Sequence, residues 1–281
     1  MASIREIVLA RLKRNRLVAK VAWIPYGSWA VRPALLYLLD YARDRTGVYR
    51  VRRTGNLVAL RARADLHVNR EYLSREGPVP PPNVAEILHR EPPSRILDLG
   101  ANIGLFTLWG NQHFPNARIV AVEPDLENVA LLRQNIELND VQEQVEVIVA
   151  AAGVAEGTTR IESGRAQLSR VLDRGEDAAG AVETKVIDAL PLVTSSDLVK
   201  IDIEGSEWDI LRDSRLAGTS PRVLLMEWHK RGSNAMSPWL LAEALLTTAG
   251  FQVRHEPIVS TEYGFLWAWR ERDPAASENL L

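Results

Sequence analysis

The residues of this sequence best suited to chemistry are two carboxylates at apolar strand ends and a histidine at a third. Asp98 lies in Arg95-Ile96-Leu97-Asp98-Leu99, which runs into the turn Gly100-Ala101-Asn102-Ile103-Gly104. Glu123 follows in Val120-Ala121-Val122-Glu123-Pro124, nineteen residues after Gly104. A carboxylate at a buried strand end needs a cation or hydrogen-bond donors to offset its desolvation. An acidic side chain ending the second strand of such a unit can accept hydrogen bonds from both hydroxyls of a ribose. His229 runs off Leu224-Leu225-Met226-Glu227-Trp228, and a group titrating near neutrality suits removal or relay of a hydroxyl proton. Strand alternation places Glu227 and His229 on one face, and Asp202 and Glu204 on one face of Lys200-Ile201-Asp202-Ile203-Glu204. Those four form a candidate acid/base set, or the ligands of a divalent metal such as magnesium. The alternative is that the carboxylates cap helix N-termini such as the one led by Ser206, while Lys200 neutralises a neighbour.

The turn discriminates between ligands. A dinucleotide fingerprint would need glycines at 100, 102 and 105, and the chain has Gly100, Asn102 and Leu105. A carboxylate at Asp98 would also repel a pyrophosphate, whereas the α-ammonium of S-adenosylmethionine would attract it. A nicotinamide-dependent oxidoreductase is therefore the weaker reading, and a non-catalytic binding or scaffold protein on the same fold is a further rival.

Positioning these residues requires a layered α/β framework. Strand-like runs at Arg95–Leu99, Arg118–Glu123, Val145–Ala150, Leu198–Ile203, Val223–Trp228 and Phe265–Trp269 alternate with amphipathic helical segments. That order predicts a Rossmann-like, mostly parallel, seven-stranded sheet with helices on both faces. Ser237 with Pro238 marks a helix start, and Gly218 and Gly250 mark helix ends. Residues 153–182, rich in Gly, Ala, Ser and charge, read as a long loop. Ahead of this domain, residues 1–82 read as a cap of helices followed by a hairpin around Thr54-Gly55-Asn56. The breakers Gly77-Pro78-Val79-Pro80-Pro81-Pro82 mark the boundary to residues 83–281. Of the eight tryptophans, Trp267 and Trp269 read as core, and Trp228, beside His229, as a pocket candidate. His113 is expected to meet helix carbonyls, while His89 and His255 have no special context.

Asp98-Leu99-Gly100-Ala101-Asn102-Ile103-Gly104 resembles the glycine motif of the FkbM family of S-adenosylmethionine-dependent methyltransferases. Leu198-Val199-Lys200-Ile201-Asp202-Ile203-Glu204-Gly205-Ser206-Glu207 is similar to that family's second strand-and-turn motif, and Val186-Ile187-Asp188-Ala189-Leu190 to the segment that leads into it. The resemblance spans residues 65–230 and implies a class I methyltransferase fold. It implies that Asp98, Gly100, Ala101, Asn102, Gly104, Glu123, Pro124 and Asp202 surround the donor. The acceptor it implies is an oxygen, a hydroxyl or a carboxyl, of a small molecule such as a secondary metabolite or sugar. A family-like arrangement would also bring the segment of His67 and Tyr72 against the donor pocket.

The totals exclude several classes. The absence of cysteine removes disulfides, thiolate metal sites and cysteine nucleophiles. A formal net charge of −2 argues against a protein dominated by phosphate contacts, so no nucleic-acid partner is expected. No apolar run reaches transmembrane length, and Lys20 interrupts any signal-like segment, which gives a cytoplasmic expectation. The basic stretch from Arg5 to Lys20 reads as the solvated face of a helix, and the cap offers a surface for homo-oligomerisation.

Overall fold

The computed structural model describes residues 37, 39–51, 54–65, 77–162, 170–171, 181–257 and 260–271. The helices expected before residue 37, and His67 and Tyr72, lie outside the described residues. The chain divides into two compact units, Met1–Val79 and Pro80–Leu281. In the first, β1 (Thr46–Arg50) and β2 (Leu57–Arg61) pair antiparallel, with Gly55 at φ +78° in the connecting turn. The left-handed backbone there is what a tight hairpin demands and what glycine supplies without strain.

The second unit contains the seven-stranded sheet. Its strands are β3 (Arg95–Leu99), β4 (Arg118–Val122), β5 (Val145–Ile148), β10 (Leu198–Ile201), β11 (Val223–His229), β12 (Gln252–His255) and β13 (Tyr263–Trp269). They lie in the order β12-β13-β11-β10-β3-β4-β5. The strands β5, β4, β3, β10 and β11 run parallel, and β13 returns antiparallel between β11 and β12. This is the Rossmann-like architecture expected. The order reverses between β3 and β10, which opens a crevice at their carboxyl ends.

The central parallel strands are mostly apolar, as strands covered by helices on both faces must be, with Asp98 and Lys200 as the buried charged exceptions. Leu97, Leu99, Val199, Ile201, Leu224 and Met226 are all buried in one cluster. The helices are α1 (Pro82–Arg90), α2 (Leu105–His113), α3 (Leu126–Leu138), α4 (Leu190–Thr194), α5 (Glu207–Arg212) and α6 (Pro238–Thr248). Asp125 caps α3 by accepting a hydrogen bond from the Glu127 N–H at 2.8 Å. Ser237 holds the N-cap position of α6 without a side-chain capping bond, so Pro238 carries that start.

One expectation is overturned. The described part of residues 153–182 is not a structureless loop: β6 (Ala151–Gly153), β7 (Gly157–Glu162), β8 (Arg170–Val171) and β9 (Ala181–Asp188) form a four-stranded sheet in the order β6-β9-β7-β8. Threonines and charges along β7 and β9 obscure the apolar alternation that would have announced strands. Backbone pairing from Gly157↔Val186 to Glu162↔Ala181 makes them. Among the described residues no helix is long and apolar enough to cross a membrane.

Candidate active site

The turn after β3 is shaped by contact with β10. Gly100, at φ +77°, lies so close to Asp202 that an added Cβ would collide with the Asp202 carbonyl oxygen. Gly104, at φ +89°, precedes α2, and a Cβ there would meet Leu132 Cδ1 at 2.5 Å. Between them Asn102 adopts φ +51°. The N–H groups of Gly100 and Ala101 both donate to the Val122 carbonyl at 3.0 Å, tying the turn to the end of β4.

Glu123 is buried and fixed by three donors. Its Oε2 accepts from the Asn102 N–H at 2.8 Å, and its Oε1 accepts from the Asp125 N–H at 3.0 Å and from Asn128 Nδ2 at 3.1 Å. Burial pushes its carboxyl up to about 7, against the opposing pull of those three donors. Asp98 is wholly enclosed. Its Oδ2 accepts from Thr107 Oγ1 at 2.7 Å, while Oδ1 faces Lys200 Nζ at 3.4 Å without a hydrogen bond. Burial raises the Asp98 carboxyl above the usual range, and Lys200 and Thr107 act in the other direction. The direct contact expected between Asp98 and a ligand ammonium thus meets a closed site, and the unpartnered buried acceptor of this turn is Asn102 Oδ1.

Lys200 links the two halves of the crevice. Its ammonium donates to the Gly100 carbonyl at 2.9 Å and pairs with Asp202 Oδ2 at 3.2 Å. Burial disfavours its charge, but Asp202 and Asp98 more than offset that and hold its pKa well above that of an ordinary lysine.

Beyond Lys200 the carboxyl ends of β10 and β11 gather His229, Asp202, Glu204 and Glu227. His229 Nε2 lies 3.5 Å from Glu204 Oε2 and 3.8 Å from Glu227 Oε1. One oxygen each of Asp202 and Glu227 and a ring nitrogen of His229 lie within 4.8 Å of one another, a spacing compatible with a shared metal ion that Glu204 is not part of. Glu204 sits at φ +53°, a left-handed conformation that costs a non-glycine residue on the order of 1 kcal/mol. The ring of His229 is oriented from behind by Glu207, a fully buried carboxylate in the first turn of α5. Glu207 Oε1 accepts from the His229 N–H at 2.7 Å and stands 3.1 Å from Nδ1, while its Oε2 accepts from the Gly205 N–H at 2.8 Å. With Nδ1 engaged, Nε2 is the nitrogen directed at Glu204 and Glu227. Burial opposes a charge on this imidazole, but the hydrogen bond and charge of Glu207, with Asp202 and Glu204, push it up to about 10. Burial likewise pushes Glu204 up to about 7, with His229 pulling the other way.

Residues 98–253, more than half of the chain, match the Methyltransferase FkbM domain. The chain belongs to the FkbM methyltransferase family. Two curated fungal relatives are similar to it. Methyltransferase sdnD of Sordaria araneosa is 27% identical over 198 residues, covering 57% of this chain and 74% of that protein. Methyltransferase 1 of Beauveria bassiana is 24% identical over 189 residues, covering 58% and 74%. Among solved structures, the O-methyltransferase from Bacillus cereus in complex with SAH aligns with a TM-score of 0.40 at 15% identity, covering 69% of this chain and 83% of that one.

In this methyltransferase, on its Rossmann-like sheet, Asp98, Gly100, Ala101, Asn102, Gly104, Glu123 and Pro124 gather at the β3–β4 end. Asp202, Glu204, Glu227 and His229 gather at the β10–β11 end. Trp228 is not a pocket residue: it is fully buried, 5.9 Å from Trp239 by ring centroids and packed against Gly264. Alternation explains this, since the neighbour of a residue facing the site must face the core. Trp267 and Trp269 are core as expected, and His113 Nδ1 lies 2.9 Å from the Trp109 carbonyl oxygen. The residue missed was Glu207, whose place directly after Ser206 reads as an ordinary acidic first turn. A cavity of about 260 Å³ was also invisible in the sequence: it lies between Pro124, Leu126 and Val149 on one side and Ile161, Val182 and Thr184 of the second sheet on the other.

Proposed function

We propose that this methyltransferase uses S-adenosylmethionine to methylate a hydroxyl oxygen of a small molecule. The observation that carries this reading is the gathering of carboxylates at one sheet edge: Asp98, Asp202, Glu204, Glu207 and Glu227 stand within ion-pair distance of Lys200 or His229, five acidic groups around two basic ones. Such an edge favours a cationic ligand, and the donor carries both a sulfonium and an ammonium. Asn102 is partly exposed in the turn, and rotation of its side chain would bring the unpartnered Oδ1 to that ammonium, while Glu123 would accept from the ribose hydroxyls. The cavity that begins at Pro124, lined by Leu126, Val149, Ile161 and Val182 together with Glu183, Thr184 and Lys185, offers a slot for the purine. The donor, when bound, supplies the methyl group on an already good leaving group, so the protein's task is alignment and exclusion of water.

His229 and Glu204 divide the remaining work. Glu204 takes the hydroxyl proton, and His229, held by Glu207 with Nε2 forward, faces the acceptor oxygen as negative charge develops there. If a divalent ion takes part, Asp202, Glu227 and His229 would hold it and it would lower the pKa of the bound hydroxyl. A donor set with an imidazole suits a softer ion than magnesium, and Asp202 is already paired with Lys200.

Calorimetry tests the reading. Wild-type protein should bind S-adenosylmethionine and S-adenosylhomocysteine, Glu123→Ala and Asn102→Ala should each weaken both, and a second series with manganese or zinc should show whether an ion adds to affinity. Absence of binding under every condition, or tighter binding of NADH, would return the oxidoreductase and scaffold readings to the front.

A further inference from the structure

β13 places two aromatic rings directly beside the catalytic edge. In the antiparallel ladder Tyr263 pairs with His229 and Phe265 with Glu227. Side chains at directly opposed positions share a face of the sheet, so both rings stand on the face from which His229 and Glu227 meet Glu204. The rest of β13 from Leu266 to Trp269 is buried, as a strand inside a sheet should be. Tyr263 departs from that pattern with 42% of its surface exposed, and Phe265 is partly exposed. The strand is anchored at this end by Lys230, whose N–H donates to the Glu262 carbonyl at 2.7 Å and whose ammonium pairs with Glu262 Oε1 at 3.1 Å. The rings are therefore carried on a fixed rim rather than on a free loop.

We infer that Tyr263 and Phe265 form the wall of the acceptor site, and that the acceptor is a neutral, flat ring compound bearing the hydroxyl to be methylated. This rests on the methyl-transfer reading above and adds the substrate class to it. An aromatic wall gains contact area and offset ring packing from a flat apolar ligand at little cost in side-chain order. The carboxylates next to it repel an acceptor that is itself an anion, which sets a phenol or ring alcohol apart from a carboxylic acid or a phosphate ester. In the step itself the methyl carbon leaves sulfur for the acceptor oxygen. The S–C electron pair stays on sulfur as a neutral thioether, the O–C bond forms, and the hydroxyl proton goes to Glu204.

The test uses full-length protein and three flat neutral probes, 2-naphthol, catechol and umbelliferone, against 2-naphthoate and methyl glucoside. Binding is read by saturation-transfer NMR, with and without saturating S-adenosylhomocysteine, and transfer by tritium from labelled S-adenosylmethionine. At least one flat hydroxylated ring should bind and accept label, and the acid and the glucoside should not. Tyr263→Ala should weaken that binding about tenfold, Tyr263→Phe should retain it, and neither should change donor affinity by calorimetry. Because Tyr263 is half exposed, loss of the fold is not expected, and a thermal melt checks this. Preference for 2-naphthoate or the glucoside, failure of all three rings to bind, or unchanged binding in Tyr263→Ala would overturn the inference. Failure of the donor to bind, with ring binding still dependent on Tyr263, would instead overturn the methyl-transfer reading alone.

Discussion

At the ends of β3 and β4 most polar groups are held and enclosed: Glu123 is bound by three donors, Asp98 accepts from Thr107 and faces Lys200, Asn102 Oδ1 is left as a buried acceptor, and Gly100 and Gly104 leave no room for a methyl group. At the ends of β10 and β11 the carboxylates outnumber the cations, Glu204 rests on left-handed backbone, and aromatic rings stand partly exposed. The first region is built to one shape, as a site for an invariant ligand can be. The second keeps its charges near each other without neutralising them, a state that a substrate can complete. Lys200 is the only residue that bonds directly to both regions among the contacts described above.

The largest expected effect comes from cutting that link. Lys200→Met leaves Asp98 and Asp202 facing each other without a cation, and removing one partner from a buried ion pair costs about 3–5 kcal/mol. Chemical denaturation should show that loss, and adding Asp98→Asn should restore part of it because one of the stranded charges is then gone. If Lys200→Met unfolds at the wild-type denaturant concentration, the two regions are not joined through this ammonium. Gly100→Ala follows closely. A side chain at φ +77° pressed against the Asp202 carbonyl should cost on the order of 3 kcal/mol and abolish donor binding. A thermal melt and calorimetry on the same sample check both parts.

A smaller effect sharpens the contrast from the other side. Glu207→Gln keeps the shape of the side chain but turns an amide N–H toward one of the three N–H groups that Glu207 now accepts. His229 then loses the carboxylate charge held against its ring, and turnover should fall about 10–100-fold, the range for outer partners of a functional imidazole. Donor affinity, measured separately, should change little. A matching loss of donor affinity would mean that the two regions are one site.

How much of this was legible in the sequence follows the same division. The motif around Asp98 and the strand from Arg95 to Leu99 could be read because buried parallel strands are continuous apolar runs and tight turns need glycine. The strand from Gln252 to His255 could not, because its residues alternate between exposed and partly buried at the edge of the sheet. The second sheet was hidden for a related reason: β9 carries Glu183, Thr184 and Lys185 in succession, and only backbone pairing marks it as a strand. Tyr263 escaped notice since its meaning comes from the residue opposite, and antiparallel register across more than thirty residues of intervening chain is not written in local pattern. The role of Glu207 is equally non-local, being a contact made twenty-two residues away.

The smallest predicted effect concerns the region that looks most rigid. The Glu123 carboxyl, pushed up by burial to about 7 from its ordinary 4.5, gains a proton as pH falls through neutrality. In the proposed donor site the ionised form would accept from the ribose hydroxyls more strongly than the neutral form, by roughly 1 kcal/mol. Donor affinity should therefore rise about fivefold between pH 6 and pH 8, and Glu123→Gln should flatten that dependence. The sign for stability is opposite. A carboxyl whose folded pKa lies above its unfolded value favours folding while it is protonated, and that contribution is lost as pH rises through about 7. The unliganded protein should thus lose stability from this group over the same interval in which it gains affinity for the donor. Melting curves taken with and without S-adenosylhomocysteine at pH 6 and pH 8 should diverge, with the larger ligand-induced increase in Tm at pH 8. An equal increase at both values would mean that Glu123 is already ionised throughout, held so by the N–H groups of Asn102 and Asp125 and by Asn128 Nδ2.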